Sequence, residues 1–168
     1  MDALLHRRST RSFTNRHIEM PQLEQILIAA INAPNARGLQ SWHLTAVRNQ
    51  EKIRRLAAAT GALLGNPHYN MYEPDTIILV GADRDNSNAR QDTGCVMQSI
   101  FLAAHSLGIG SVWINQLKDL CDEPSVRQIL TDFKMPENQL VWGVAALGYP
   151  DAQPPKKERR RDVINIVE

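Results

Sequence analysis

Thr76-Ile77-Ile78-Leu79-Val80-Gly81, with the stretch Asn88 to Leu107 that follows it, decides the fold class. The first is an unbroken apolar run of strand length, the pattern of a central strand buried on both faces. In the second, Val96, Ile100, Phe101, Ala103, Ala104 and Leu107 cover most of a helix circumference from its middle onward. A helix apolar nearly all round is a buried helix, and Gly108 supplies its stop. Working downstream, Ser111 to Ile114 reads as a short strand. Pro124 to Phe133 is an amphipathic helix with Val126, Ile129, Leu130 and Phe133 inward. Leu140 to Leu147 is a second buried strand, closed by Gly148-Tyr149-Pro150. Val163 to Val167 is a short strand beyond a charged tether, placed to pair with a distant sheet edge. Working upstream, Glu51 to Thr60 is a helix, Trp42 to Val47 a strand and Asn35 to Ser41 a loop. A helix opens at Pro21, keeps Leu23, Ile26, Leu27, Ala30 and Ile31 on one face, and ends at Pro34. Arg8 to Phe13 is extended or irregular, after a short helix over Asp2 to Arg7. Roughly four strands and five helices, without regular alternation, argue for α+β over a doubly wound sheet.

The composition narrows the classes of function. At 168 residues the chain is sized for one domain, and 43% hydrophobic content supports a sizeable core. Lys plus Arg is 19 against 18 for Asp plus Glu, so a globally basic nucleic-acid protein is not indicated. Cys95 and Cys121 are far apart and form neither a disulfide framework nor a metal knuckle. No apolar run approaches the ~20 residues that span a membrane, and Met1 to Arg11 lacks the features of a secretion signal. The expected address is cytoplasmic, with no membrane and no nucleic acid among the partners.

Several chemistries lack their motif. There is no GxxxxGK[ST] loop, no HExxH, no CxxC and no GxSxG. Gly108-x-Gly110 precedes a strand and lacks the third glycine, so it is not a dinucleotide fingerprint. His6, His17, His43, His68 and His105 show no ligand spacing, and no metal is expected.

Four segments carry candidate chemistry. Arg7-Arg8-Ser9-Thr10-Arg11-Ser12-Phe13 packs three arginines and three hydroxyls into seven residues. Arginine forks match phosphate oxygens, although a cluster of this kind is, alone, more often a solvated face. Ala33 to His43 is a loop of small and amide residues opening into Trp42, where a flat ligand can approach backbone. Gly108 to Leu117 ends a strand at Ile114 and begins a helical turn whose free N–H groups can face an electron-rich ring. Lys156 to Arg161 is a basic run, followed by apolar residues that a mere tail would not need.

In this order the four segments resemble the FMN-dependent nitroreductase family over nearly the whole chain. Arg7-Arg8-Ser9-x-Arg11-x-Phe13 is similar to its N-terminal flavin motif. Ala33-Pro34 with Gln40-x-Trp42-His43 resembles its flavin loop. Asp92-x-Gly94 followed by Leu102-Ala103-Ala104-x-x-Leu107-Gly108-x-Gly110 resembles its central helix and turn, and Leu147-Gly148-Tyr149-Pro150 its C-terminal signature. Asn35 stands where the family has serine, Gly38 where it has asparagine, and Ser41 where it has proline. The segment from Gly61 to Asp75 is short beside larger relatives.

The resemblance implies an α+β, three-layer α/β/α sandwich with a mainly antiparallel sheet. One domain covers 1–168, and its 151–168 extension embraces a partner in a homodimer, exchanging the C-terminal strand. Two FMN sites would lie at the interface. Arg7, Ser9 and Arg160 would hold the phosphate, with Arg160 chosen from the Lys156–Arg161 run. Arg8 and Arg11 would lie towards the ribityl chain and pyrimidine edge, where a cation stabilises charge gained on reduction. Pro34, Asn35, Ala36 and Gly38 would come from the other subunit's loop. Backbone N–H groups at Asn115 and Gln116 would face flavin N5 and O4. NAD(P)H would deliver hydride to N5, and a nitroaromatic, quinone or similar acceptor would follow in ping-pong order, with no protein acid or base required. The competing readings are a relative with another specific reductive or dehydrogenating reaction, a redox-sensing FMN-binding module, and, last, a nucleic-acid binder.

Overall fold

The computed structural model describes residues 1–152, 154–155 and 158–168. Strand β2 (Thr76–Asp83) is the centre of the molecule. Its odd residues Ile77 and Leu79 face one core and its even residues Ile78 and Val80 the other. Seven of its eight residues are buried, as the unbroken apolar run requires. Antiparallel neighbours flank it: β1 (Trp42–Val47) on one side, β4 (Gln139–Gly148) on the other, with β3 (Gly110–Ile114) beyond β4. The sheet order is β1-β2-β4-β3. A bulge separates Val80 from Gly81, where the partner register skips Trp142. Gly81 is needed there, because a Cβ would meet Met135 Sδ at 2.7 Å.

Helices cover both faces. Helices α2 (Met20–Ile31) and α4 (Ala89–Ser106) pack on the face of Ile78 and Val80. Helices α3 (Gln50–Leu63), α5 (Leu117–Leu120) and α6 (Pro124–Asp132) cover the face of Ile77 and Leu79. Helix α1 (Asp2–His6) rests against α4. This is the expected α+β arrangement in three layers with an antiparallel sheet.

Local chemistry sets the helix limits. Glu19 and Gln22 cap α2 reciprocally, and the helix ends at Ile31, earlier than Pro34. Asn49 Oδ1 accepts the Lys52 N–H at 2.9 Å, starting α3, which runs past Thr60 to Leu63. Helix α4 ends as expected, with Gly108 in the left-handed region at φ 73° and Ile109 N–H returning to the Ala104 carbonyl.

The segment after α1 docks as an irregular border strand. Ser9 bridges Ser111 in parallel, Thr10 N–H donates to the Ser111 carbonyl at 2.9 Å, and Phe13 bridges Pro150. Gly110 makes that approach possible, since a Cβ there would lie 2.6 Å from Thr10 Oγ1. The expected strand at Val163 to Val167 does not form within the single chain. Ile164 N–H closes a turn on Arg161, and Val163, Ile164, Ile166 and Val167 are exposed. A strand needs a paired edge, and here the tail reaches none of its own.

Candidate functional site

Because Ser9 is pinned to β3, the arginines around it are held at the sheet border beside the C-terminal end of α4. Arg7 stacks its guanidinium over the Phe101 ring, 5.5 Å from the centroid, and Phe101 meets Trp113 edge-on. Arg8 turns Nη1 back onto the carbonyls of Leu5 and Arg7, while its Nε is buried with no partner among the described residues. Arg11 lies over the Tyr72 ring at 5.9 Å. The returning C-terminal segment closes the arrangement: Arg7, Arg8, Ser9, Arg11, Pro154, Pro155 and Arg159 line one cleft of about 220 Å³.

The electrostatics of this cleft are one-sided. Among the described residues no ion pair is formed by Arg7, Arg8, Arg11 or Arg159. Burial, then the charges of Arg159 and Arg8, hold the Arg7 pKa below the ordinary arginine value. Arg7 and Arg8 are half-buried and Arg11 and Arg159 exposed; guanidiniums gathered without a carboxylate suit an anion, and their fork geometry matches phosphate oxygens.

Arg160 stands elsewhere. It is largely exposed and pairs with Asp162 through Nε at 3.0 Å and Nη2 at 2.6 Å. Within the single chain it is Arg159, which the sequence reading passed over, that joins Arg7. Lys156 and Lys157 of the same run lie outside the described residues.

Asn115 and Gln116 follow the far end of β3. Asn115 lies four positions beyond Ser111, roughly 13 Å at ~3.3 Å per residue. Gln116 Oε1 accepts from the Asn115 N–H at 3.1 Å and from the Tyr69 hydroxyl at 3.3 Å. Burial, aided by Tyr72, pushes the Tyr69 phenol up to about 12, so it stays a neutral donor. Tyr69 and Tyr72 thus edge the same border from the short segment before β2. Met71, Tyr72 and Glu73 there all adopt positive φ, a strained turn anchored by buried Met71.

The loop of Pro34, Asn35, Ala36 and Gly38 lies apart from the arginines. Ala36 N–H donates to Asp92 Oδ1 at 2.9 Å, in the first turn of α4, and Asn35 Oδ1 accepts the Gln40 N–H at 3.0 Å. His105, near the other end of α4, borders the cavity next to Arg7. Asp92 and His105 are 13 positions apart, so the two groups stand roughly 20 Å from each other along the helix at ~1.5 Å per residue. One chain therefore brings together Arg7, Arg8, Ser9, Arg11 and Arg159, but not the loop.

Among the described residues no helix is long and apolar enough to cross a membrane, and no three His, Cys, Asp or Glu side chains converge on a metal site.

Comparison with known proteins bears on the family and the fold. The profile described as the nitroreductase family matches residues 4–67 and 62–149. An Archaeoglobus fulgidus protein, provisionally named NADH dehydrogenase/NAD(P)H nitroreductase, is 35% identical over 151 residues, covering 86% of this chain and 81% of its own. A Bacteroides fragilis nitroreductase solved with bound FMN superposes with a TM-score of 0.92 at 35% identity, over 99% of this chain and 97% of that one. A Desulfitobacterium hafniense nitroreductase, also with bound FMN, gives 0.90 at 26% identity over the same shares. On these grounds, with the sheet order and arginine border described above, the chain is a member of the nitroreductase family.

Proposed function

We propose that this protein is an FMN-dependent oxidoreductase that uses NAD(P)H to reduce nitroaromatic, quinone or similar acceptors. The observation that carries the reading is the set of guanidiniums at Arg7, Arg8, Arg11 and Arg159, which form no ion pair among the described residues, with the buried Nε of Arg8 likewise without a partner among them. Such a set fits a phosphate monoester, and the two FMN-bound nitroreductases support that choice. Arg7, Arg8, Ser9 and Arg159 would grip the phosphate, with Arg159 taking the part the sequence assigned to Arg160. Arg11 would place a cation near the ring system, held by Tyr72. Asn115 and Gln116 would line the edge of the ring, with Tyr69 fixing the Gln116 amide. When bound, FMN supplies the redox chemistry: hydride taken at N5 from NAD(P)H and passed to the acceptor in ping-pong order.

The reading includes a homodimer. The loop of Pro34, Asn35, Ala36 and Gly38 stands roughly 20 Å from the arginines in its own chain, so it serves this site by coming from a second copy. Exposed Ile28, Ile31 and Leu39 and the apolar C-terminal tail support such a contact, with the tail pairing as a strand on the partner's sheet.

The test is spectroscopic. The purified protein is expected to be yellow, or to become so with added FMN, and anaerobic NADH or NADPH is expected to bleach the flavin band. Protein that stays colourless in excess FMN sinks the proposal.

A further inference from the structure

Arg7, Arg8 and Pro154 line a second cavity as well as the basic cleft. It has a volume of about 250 Å³ and is bounded further by His6, His105, Thr10 and Ile109. A group gripped by the two guanidiniums in one cavity therefore adjoins the other directly.

The lining suits one kind of ligand. Two guanidiniums and two imidazoles supply positive or donor groups, while Ile109, Pro150 and Pro154 supply an apolar wall. The imidazoles are held in place by Asp2, whose Oδ1 meets His6 Nδ1 at 2.6 Å and whose Oδ2 lies 3.9 Å from His105 Nε2. The space beside Gly108 is open, since a Cβ built there would find nothing within 4 Å. The volume falls below the ~300–1,000 Å³ common for a whole drug-sized ligand. It suits a fragment that combines a phosphate with a flat heterocycle. Arg7 and Arg8, shared by both cavities, pair with no carboxylate among the described residues.

We infer that this cavity is a subsite for an adenosine phosphate lying next to the flavin phosphate, an inference that rests on the flavin reading above. The second phosphate meets the Arg7–Arg8 wall, and the purine lies between the imidazoles and the Ile109–Pro150–Pro154 surface. That chemistry can arrive in two forms. In FAD the adenylate is joined to the flavin phosphate. In NAD(P)H it is the outer half of the incoming reductant.

Binding heats separate the outcomes without recourse to turnover. Apo-protein is titrated with FMN and with FAD, and FMN-loaded protein with ADP, for the wild type, His105→Glu and His105→Ala. Thermal melting checks the fold, and His105→Ala serves if the glutamate variant does not fold. If FAD is the source, FAD binds at least as tightly as FMN. His105→Glu then weakens FAD about tenfold, the scale of one charge-assisted contact, and FMN less than twofold. His105→Ala acts in the same direction, less strongly. If NAD(P)H is the source, FAD binds more weakly than FMN, but FMN-loaded protein binds ADP and His105→Glu abolishes that binding. FMN binding with neither selective FAD binding nor ADP binding overturns the subsite and leaves the flavin reading intact. Tight FAD binding indifferent to both His105 variants also overturns it. Failure of both flavins to bind overturns the subsite together with the flavin reading.

Discussion

Arg160 commits one edge of its guanidinium, Nε and Nη2, to both carboxylate oxygens of Asp162, whereas Arg159, one residue earlier, lines the cleft with Arg7. Three consecutive arginines are chemically identical in sequence, and only the path of the chain after Pro150 decides which of them faces Ser9. The two neighbours make a controlled pair. Arg159→Ala is expected to raise the dissociation constant for FMN by about tenfold or more, since a charge-assisted bond contributes about 1.5–3 kcal/mol. Arg160→Ala is expected to change it less than twofold, because its lost partner is a solvent-facing aspartate. Fluorescence titration of apo-protein with FMN reads both. The reverse order, with Arg160 dominant, would mean that the tail rearranges when a second copy binds, and the assignment to Arg159 would fall.

Between elements, one exposed network joins the far end of the sheet to the helices behind it. Arg84, just past β2, grips both oxygens of Asp122, at 2.7 and 2.6 Å, and Arg127 of α6 adds a third bond at 2.6 Å. Hydrogen bonds from Arg84 lead the causes that hold Asp122 at about 2, below its ordinary 3.8. A depressed carboxylate stabilises the fold above its unfolded pKa and loses that contribution as pH falls through its folded one. Asp122 is half exposed, so Asp122→Asn is expected to cost about 1 kcal/mol or less at neutral pH. The melting curves of wild type and variant should converge between pH 4 and pH 2; curves that stay parallel to pH 2 refute the assignment. At this scale the sequence is readable wherever period and burial coincide. Strands β1 to β4 emerged within a residue or two, because their apolar runs are short and bounded. Helix α5 was legible only as a helical turn after Ile114, since four residues show no period. Helix α3 outran its apolar pattern because Asn49 caps it and Gly61 is tolerated against Tyr69. The arginine border, Thr10 included, was legible as a cluster, but His105 beside it was not: what brings it there is the turn at Gly108.

At the scale of the whole molecule, the fold leaves apolar surface that one chain does not cover, on helix α2 and the tail among other places. Helix α2 turns Ile28 and Ile31 outward, 58% and 51% exposed, and the tail carries Val163, Ile164, Ile166 and Val167 at 63% to 94%. Among the described residues strand β1 has β2 as its one neighbour in the sheet, so its other edge is a sheet border open to pairing. Burying one side chain of this size contributes about 1.5–3 kcal/mol, so a tail with four of them, were it laid on a partner's edge strand, would supply much of the drive for a lasting dimer. The same contact would bring the partner's Pro34–Gly38 loop to the arginine border and tie assembly to cofactor retention. Deleting residues 163–168 is therefore expected to turn a dimer that persists at micromolar concentration into a monomer that loses FMN on gel filtration. The helix signal in circular dichroism should stay unchanged, because none of the deleted residues belongs to either core. Sedimentation velocity, monitored at a flavin wavelength and at a protein wavelength, reads mass and loading together. A full-length monomer, or a truncated chain that stays dimeric and yellow, would show that the tail does not hold two copies together.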